Sequence, residues 1–66
     1  MTIQINGDPR DFADSKTLAD LVSALGLEPR MTLLERNGQA TRRADWSKIP
    51  VAENDRIEIL LVAAGG

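Results

Sequence analysis

Residues 17–27, TLADLVSALGL, decide how this chain folds. Leu18, Leu21, Val22 and Leu25 fall at i, i+3, i+4 and i+7, which places them on one apolar stripe of an α-helix. Thr17 can cap the first turn. Asp20 stands at the reciprocal position of a capping box, with Asp in place of the usual Glu. Gly26 supplies a left-handed stop, and Pro29 prevents the helix from continuing. The segment therefore predicts one amphipathic helix with sharp ends and a single face to bury.

The flanking sequence reads as strands. Upstream, Thr2 to Asn6 alternates polar and apolar residues, with Ile3 and Ile5 on one face of a half-buried strand. Asn6-Gly7-Asp8-Pro9 is dense in turn formers, and Arg10 to Ala13 resumes with Phe12 as the inward candidate, which completes a hairpin. Downstream, Met31 to Arg36 is strand-like with two possible facings. Met31, Leu33 and Glu35 share one side, while Thr32, Leu34 and Arg36 share the other. Asn37-Gly38 is a type I′ turn signal, so Gln39 to Arg42 should return as a short strand. Arg43 to Ser47 can form one helical turn carrying Trp46, the sole tryptophan, which is expected to close one end of the core. Pro50 interrupts, Glu53-Asn54-Asp55 turns, and Arg56 to Val62 is the last strand. The economical solution is an α+β roll. A mixed sheet of four to five strands would carry one main helix on one face, with the first and last strands adjacent at its centre. That is the β-grasp arrangement, which ubiquitin also has.

Composition narrows the chemistry. Sixty-six residues make one domain, and a chain of this size buries only about 60% of its unfolded surface. Cysteine and histidine are both absent, which removes disulfides, thiolate metal sites and every Ser–His or Cys–His catalytic arrangement. Asp8, Asp11 and Asp14 recur every third residue, but the glycine and glutamate of a calcium loop are missing at the required offsets. Ser15, Ser23 and Ser47 have no base to activate them, and Lys16 and Lys48 read as solvated. No catalytic side chain and no metal site are expected. A net charge of −2 argues against nucleic acid, which selects basic patches. The start, MTIQINGD, lacks the features of a signal peptide, and no apolar run approaches the roughly 20 residues that span a bilayer. A soluble cytoplasmic protein is the expectation.

The stretch LLVAAGG, residues 60–66, carries the functional signal. In the last strand Ile57, Ile59 and Leu61 should face the helix. Glu58, Leu60 and Val62 should face the open side, where they would form a partner-docking face. After Val62 every residue is small. Gly lacks Cβ, so a Gly-Gly end can lie extended in a channel too narrow for any side chain. Ala63, Ala64, Gly65 and Gly66 could carry the Gly66 carboxylate about 13 Å beyond the sheet. The expected organisation is a single domain over residues 1–62 with a flexible tail over 63–66 that enters a partner's active site.

Taken together, TLADLVSALGL, the ERNG turn, the RRADW segment, NDRIEI and the terminal AAGG resemble the ThiS family, sulfur carrier proteins of thiamine biosynthesis with ubiquitin-like folds. Relatives often place an aromatic residue beside the tail, where this chain has Leu60 and Val62. They commonly place a proline before the arginine of RRADW, where Arg42 stands here. The resemblance implies that a ubiquitin-activating-enzyme-like adenylyltransferase, using ATP and magnesium, converts the Gly66 carboxylate into an acyl-adenylate. A persulfide sulfur donor then yields a Gly66 thiocarboxylate, whose sulfur passes to thiazole synthase. On this reading the chain binds no cofactor itself and is a monomer when alone. The alternatives are a sulfur carrier for molybdenum-cofactor synthesis, a ubiquitin-like modifier, or a plain interaction module that uses its sheet face.

Overall fold

The computed structural model describes residues 1–63. Its elements are β1 (Thr2–Ile5), β2 (Asp8–Asp11), α1 (Leu18–Ala24), a 3₁₀ turn (Pro29–Met31), β3 (Thr32–Arg36), β4 (Gln39–Ala40), a second 3₁₀ turn (Arg43–Lys48) and β5 (Arg56–Leu61). The five strands form one sheet in the order β2-β1-β5-β3-β4. β1 and β5 run parallel at its centre, and the other neighbours are antiparallel. With α1 on one face this is the β-grasp arrangement.

The helix is built as its sequence predicts. Thr17 Oγ1 accepts from the Asp20 N–H at 3.3 Å, and Asp20 Oδ2 accepts from the Thr17 N–H at 2.8 Å. The Thr17 N–H, together with the Thr17 hydroxyl, which donates to Asp20 Oδ2 at 3.1 Å, holds the Asp20 carboxyl below its ordinary range. At the other end Leu27 N–H donates to the Val22 carbonyl at 3.1 Å and Gly26 N–H to the Ser23 carbonyl at 3.0 Å. Gly26 takes φ +68° there, which makes a Schellman motif. Seven residues are too few for a stable isolated helix. Packing holds it: Leu18, Leu21 and Val22 bury against Ile3, Ile5, Leu34 and Ile57 of the sheet.

Trp46 and Val51 complete the core. The Trp46 Nε1–H donates to Thr41 Oγ1 at 2.9 Å, and that hydroxyl donates to the Leu34 carbonyl at 2.7 Å, so the indole is buried with its polar atom satisfied. A role for Trp46 in the core is what its isolation in the sequence suggests.

Several boundaries and one facing differ from the sequence expectation; the last strand, for one, ends at Leu61 rather than Val62. The first turn is Asn6-Gly7 alone, at φ +51° and +87°, and Asp8 and Pro9 already pair with Ile5 and Gln4. β2 is an edge strand, where the missing N–H of Pro9 costs nothing; the strand ends at Asp11, and Phe12 packs on the core from just beyond it. β3 starts at Thr32 because Pro29–Met31 forms a 3₁₀ turn. β4 stops at Ala40, where the Thr41 N–H and hydroxyl both turn onto the Leu34 carbonyl. The Arg43–Lys48 turn runs one residue further than expected.

The facing concerns Leu61, which was expected against the helix and is instead 59% exposed. Ile57 is fully buried and Ile59 half-buried, so cover fades along the strand. A seven-residue helix is about 10 Å long, whereas a six-residue strand is about 20 Å, and β5 outruns its cover. In β3 the ambiguity resolves with Thr32 and Leu34 inward and Leu33 and Glu35 outward. Among the described residues no helix is long and apolar enough to cross a membrane.

Candidate functional site

Among the described residues nothing layers the face of the sheet opposite α1, and β3 and β5 supply its centre. Leu33 lies directly across from Leu60, and Glu35 directly across from Glu58. Leu60 is 61% exposed and Leu33 56%. Val62 continues the alternation at 38% exposure, and its N–H donates to the Met31 carbonyl at 2.8 Å. The structure thus brings Glu58 and Leu60 together on the open face. It adds Leu33 and Glu35, whose facing the sequence left undecided. Leu61, of the opposite parity, is exposed as well, on the helix side of the sheet.

Two carboxylates directly opposed in a sheet repel one another. Among the described residues the ion pairs are the N-terminal amine with Asp14 and Arg36 with Asp55, so Glu35 and Glu58 have no paired cation. Asn6, Leu33, Glu35, Glu58, Ile59 and Leu60 line a shallow depression of about 460 Å³ on this face. A separate groove, lined by Val22, Leu27, Arg43 and Trp46, lies on the helix side. No group of three metal-ligating side chains occurs among the described residues.

β5 is held at both ends by asparagines the sequence reading took only as turn formers. Near its start, Asn37 Oδ1 accepts from the Arg56 N–H at 2.8 Å, and its Nδ2 donates to Asp55 Oδ1 at 3.0 Å. Near its end, Asn6 Oδ1 accepts from the Ile59 N–H at 2.7 Å, and its Nδ2 donates to the Ile59 carbonyl at 3.2 Å.

Asp55, which the sequence presents as one more turn residue, is only 5% exposed. Its carboxylate accepts from Arg36 Nε at 2.7 Å, Arg36 Nη2 at 3.3 Å, Asn37 Nδ2 at 3.0 Å and the Ala52 N–H at 2.8 Å. Burial opposes its charge. The hydrogen bonds from Arg36, Ala52 and Asn37 outweigh that and hold the carboxyl below its ordinary range. A partner 19 positions away in the chain leaves no short-range signature, which is why this residue was missed.

Ala63 is exposed. The expectations for Ala64, Gly65 and Gly66 lie outside the described residues.

A model of the ThiS family matches residues 3–66. The thiazole synthase of Paramagnetospirillum magneticum is 32% identical over 66 residues, all of this chain and 20% of that protein, so the chain spans about a fifth of this relative's length. The sulfur carrier protein ThiS of Bacillus subtilis is 29% identical over 65 residues, covering 97% of this chain and 98% of the relative. The crystal structure of the thiamine biosynthesis protein ThiS from Geobacter metallireducens superposes with a TM-score of 0.86 at 29% identity, covering 100% of both chains.

Proposed function

The chain belongs to the ThiS family, and from that membership we propose that it is a sulfur carrier of thiamine biosynthesis that works through the carboxylate of Gly66. The observation that carries the reading is the reach of the family match, which runs from the first strand through the Gly-Gly pair rather than stopping at the folded body. The open face beside the end of β5 supports it, because a carrier needs a docking surface next to the group it delivers.

The chemistry requires no side chain of this protein. A carboxylate is a poor electrophile. An adenylyltransferase resembling ubiquitin-activating enzymes, holding ATP and magnesium, converts the Gly66 carboxylate to an acyl-adenylate and makes AMP the leaving group. The terminal sulfur of a donor persulfide attacks the acyl carbon and AMP departs. Cleavage of the resulting acyl disulfide by a thiol leaves the Gly66 thiocarboxylate. Its sulfur is nucleophilic and passes to thiazole synthase. The match to a thiazole synthase supports that recipient, since a segment similar to this chain lies within that enzyme's own polypeptide.

This chain contributes substrate, tether and docking face. Residues 63–66, extended, reach about 13 Å, and the absence of Cβ at Gly65 and Gly66 suits a narrow channel. Glu58, Leu60 and Val62, joined by Leu33 and Glu35, form the face that the activating enzyme covers. The complementary surface would pair apolar groups with a cation set between the two carboxylates. The carrier binds no cofactor, acts in the cytoplasm and is monomeric between encounters.

Intact mass spectrometry after incubation with ATP, magnesium, the activating enzyme and a sulfur source tests this reading. One oxygen should be replaced by sulfur. Removing Gly66 leaves the carboxylate about 3.5 Å short of the attacking position, and adding one alanine carries it a similar distance too far. Reacting atoms must lie within roughly 3–3.5 Å, so both variants should lose loading by orders of magnitude while melting as the parent does. Normal loading of either variant would overturn the mechanism and favour a plain interaction module.

A further inference from the structure

We propose that Asn6 is a positioning residue for sulfur transfer: its side-chain amide adds the last rung to the β1–β5 ladder and sets the line along which the chain leaves the sheet. The proposal rests on the carrier reading for its purpose, and on the contacts between Asn6 and Ile59 for its geometry.

The parallel ladder between β1 and β5 is short, with Gln4 beside Arg56 and Ile5 beside Ile57. Its last main-chain bond runs from the Asn6 N–H to the Ile57 carbonyl at 2.9 Å. The next rung would serve Ile59, but β1 has no residue left to offer, because Asn6 and Gly7 adopt positive φ and turn into β2. The Asn6 side chain fills that place. A primary amide carries an acceptor and donors on one planar group, as a peptide unit does. Oδ1 takes the Ile59 N–H at 2.7 Å and Nδ2 gives to the Ile59 carbonyl at 3.2 Å. A turn alone requires only that Asn6 tolerate a left-handed conformation, which Gly does better. The paired contact with Ile59 is additional to the turn.

Its location gives it consequence. On the other side β5 pairs with β3 as far as Leu61 opposite Thr32, and the Val62 N–H still reaches the Met31 carbonyl. The strand is therefore held from both sides up to Ile59 and from one side between Leu60 and Val62. Two-stranded ribbons twist more than strands inside a sheet. Without the clamp the two-sided hold would end at Ile57, and the four residues from Ile59 to Val62, which span about 10 Å of chain, would swing with β3 alone. A swing of about 20° over that length displaces residue 62 by roughly 3.5 Å, which is one residue's advance along an extended chain. The docking leucines and the carboxylate would then no longer reach their places in one encounter.

The experiment compares the parent with Asn6→Gly and Asn6→Asp. A Gly-Gly pair fits the same turn, so Asn6→Gly keeps the fold and removes both contacts. Asn6→Asp restores the acceptor for the Ile59 N–H. Amide hydrogen exchange should show Ile59 losing protection by about tenfold in Asn6→Gly, with Val62 unchanged, and recovering it in Asn6→Asp. Sulfur loading by the activating enzyme, followed by mass, should show kcat falling at least about fivefold in Asn6→Gly with KM within twofold of the parent, and most of kcat returning in Asn6→Asp. Unchanged Ile59 protection in Asn6→Gly overturns the clamp. Lost protection with parental kcat overturns the positioning role and leaves only a structural contact. A parent chain that never loads overturns the carrier reading and the tail-directing purpose with it, whereas normal loading of parent and both variants overturns the positioning role alone.

Discussion

The chain uses the same dipeptide, Asn-Gly, to turn two hairpins on opposite flanks of β5. Asn6-Gly7 sits at φ +51° and +87°, and Asn37-Gly38 at +53° and +83°. The backbones match, and both asparagines reach across to the central strand. The surroundings differ. Asn37 meets the start of β5, where its amide joins Arg36 on the buried Asp55 carboxylate. Asn6 meets the far end of β5, where its amide bonds only the exposed backbone of Ile59. One turn is tied into a low-dielectric network in which a lost partner leaves a charge stranded. The other is surrounded by water, which can replace what it loses. A turn signal therefore specifies backbone shape alone, and the worth of its side chain depends on what lies across from it.

The sharpest way to break this comparison is to remove the carboxylate that distinguishes the two ends. Asp55→Ala should cost about 3 kcal/mol, because Arg36 and Asn37 lose their shared acceptor in a site with little water. For a domain of this size that is a fall in Tm of more than about 12 °C in a thermal melt. A loss under about 1 kcal/mol would mean the two turns are equivalent.

Acid should act on the same group less severely. The folded Asp55 carboxyl titrates below its ordinary value of 3.8, so its contribution is fully present above that value and is lost as pH falls through the depressed one. Denaturant melts between pH 6 and about pH 2 should show stability declining in the acid limb. The decline should be shallower in Asp55→Asn.

The turns themselves come next. Asn37→Gly should destabilise by about 1–1.5 kcal/mol, the value of a hydrogen bond to a buried charge together with one to the Arg56 backbone. Asn6→Gly should cost less than about 0.7 kcal/mol, since its contacts are exposed. Equal effects in parallel melts would show that burial at Asp55 does not govern the difference. The smallest change belongs to the open face. Leu60→Asp should alter stability by no more than about 0.5 kcal/mol, while weakening binding to the activating enzyme. Unfolding of that variant would place Leu60 in a core that the described structure does not show.

Some of this architecture is legible in the chain. The α1 period, the Thr17–Asp20 capping box, the Gly26 stop and both Asn-Gly turns depend on residues within a few positions of one another, and local backbone physics is enough to specify them. The exposure of Leu60 follows from strand alternation once β5 is placed, and the central pairing of first and last strands follows from the order of elements. The open face of the sheet is only half legible, since Glu58, Leu60 and Val62 can be read from parity. Leu33 and Glu35 cannot, because each side of Thr32–Arg36 carries one leucine and no periodicity chooses between them.

What the sequence determined by itself is the main helix with its caps, the order of the strands and the two Asn-Gly turns, because each is settled by hydrogen bonds and apolar spacing among near neighbours. Only the tertiary structure decided which leucine of β3 faces water, that Leu61 lies beyond the helix, that Asp55 is buried and charged, and that Asn6 completes the ladder at Ile59. Those features join positions 19 and 53 residues apart or depend on where one element's length ends over another. Such relations come into existence only when the surfaces meet.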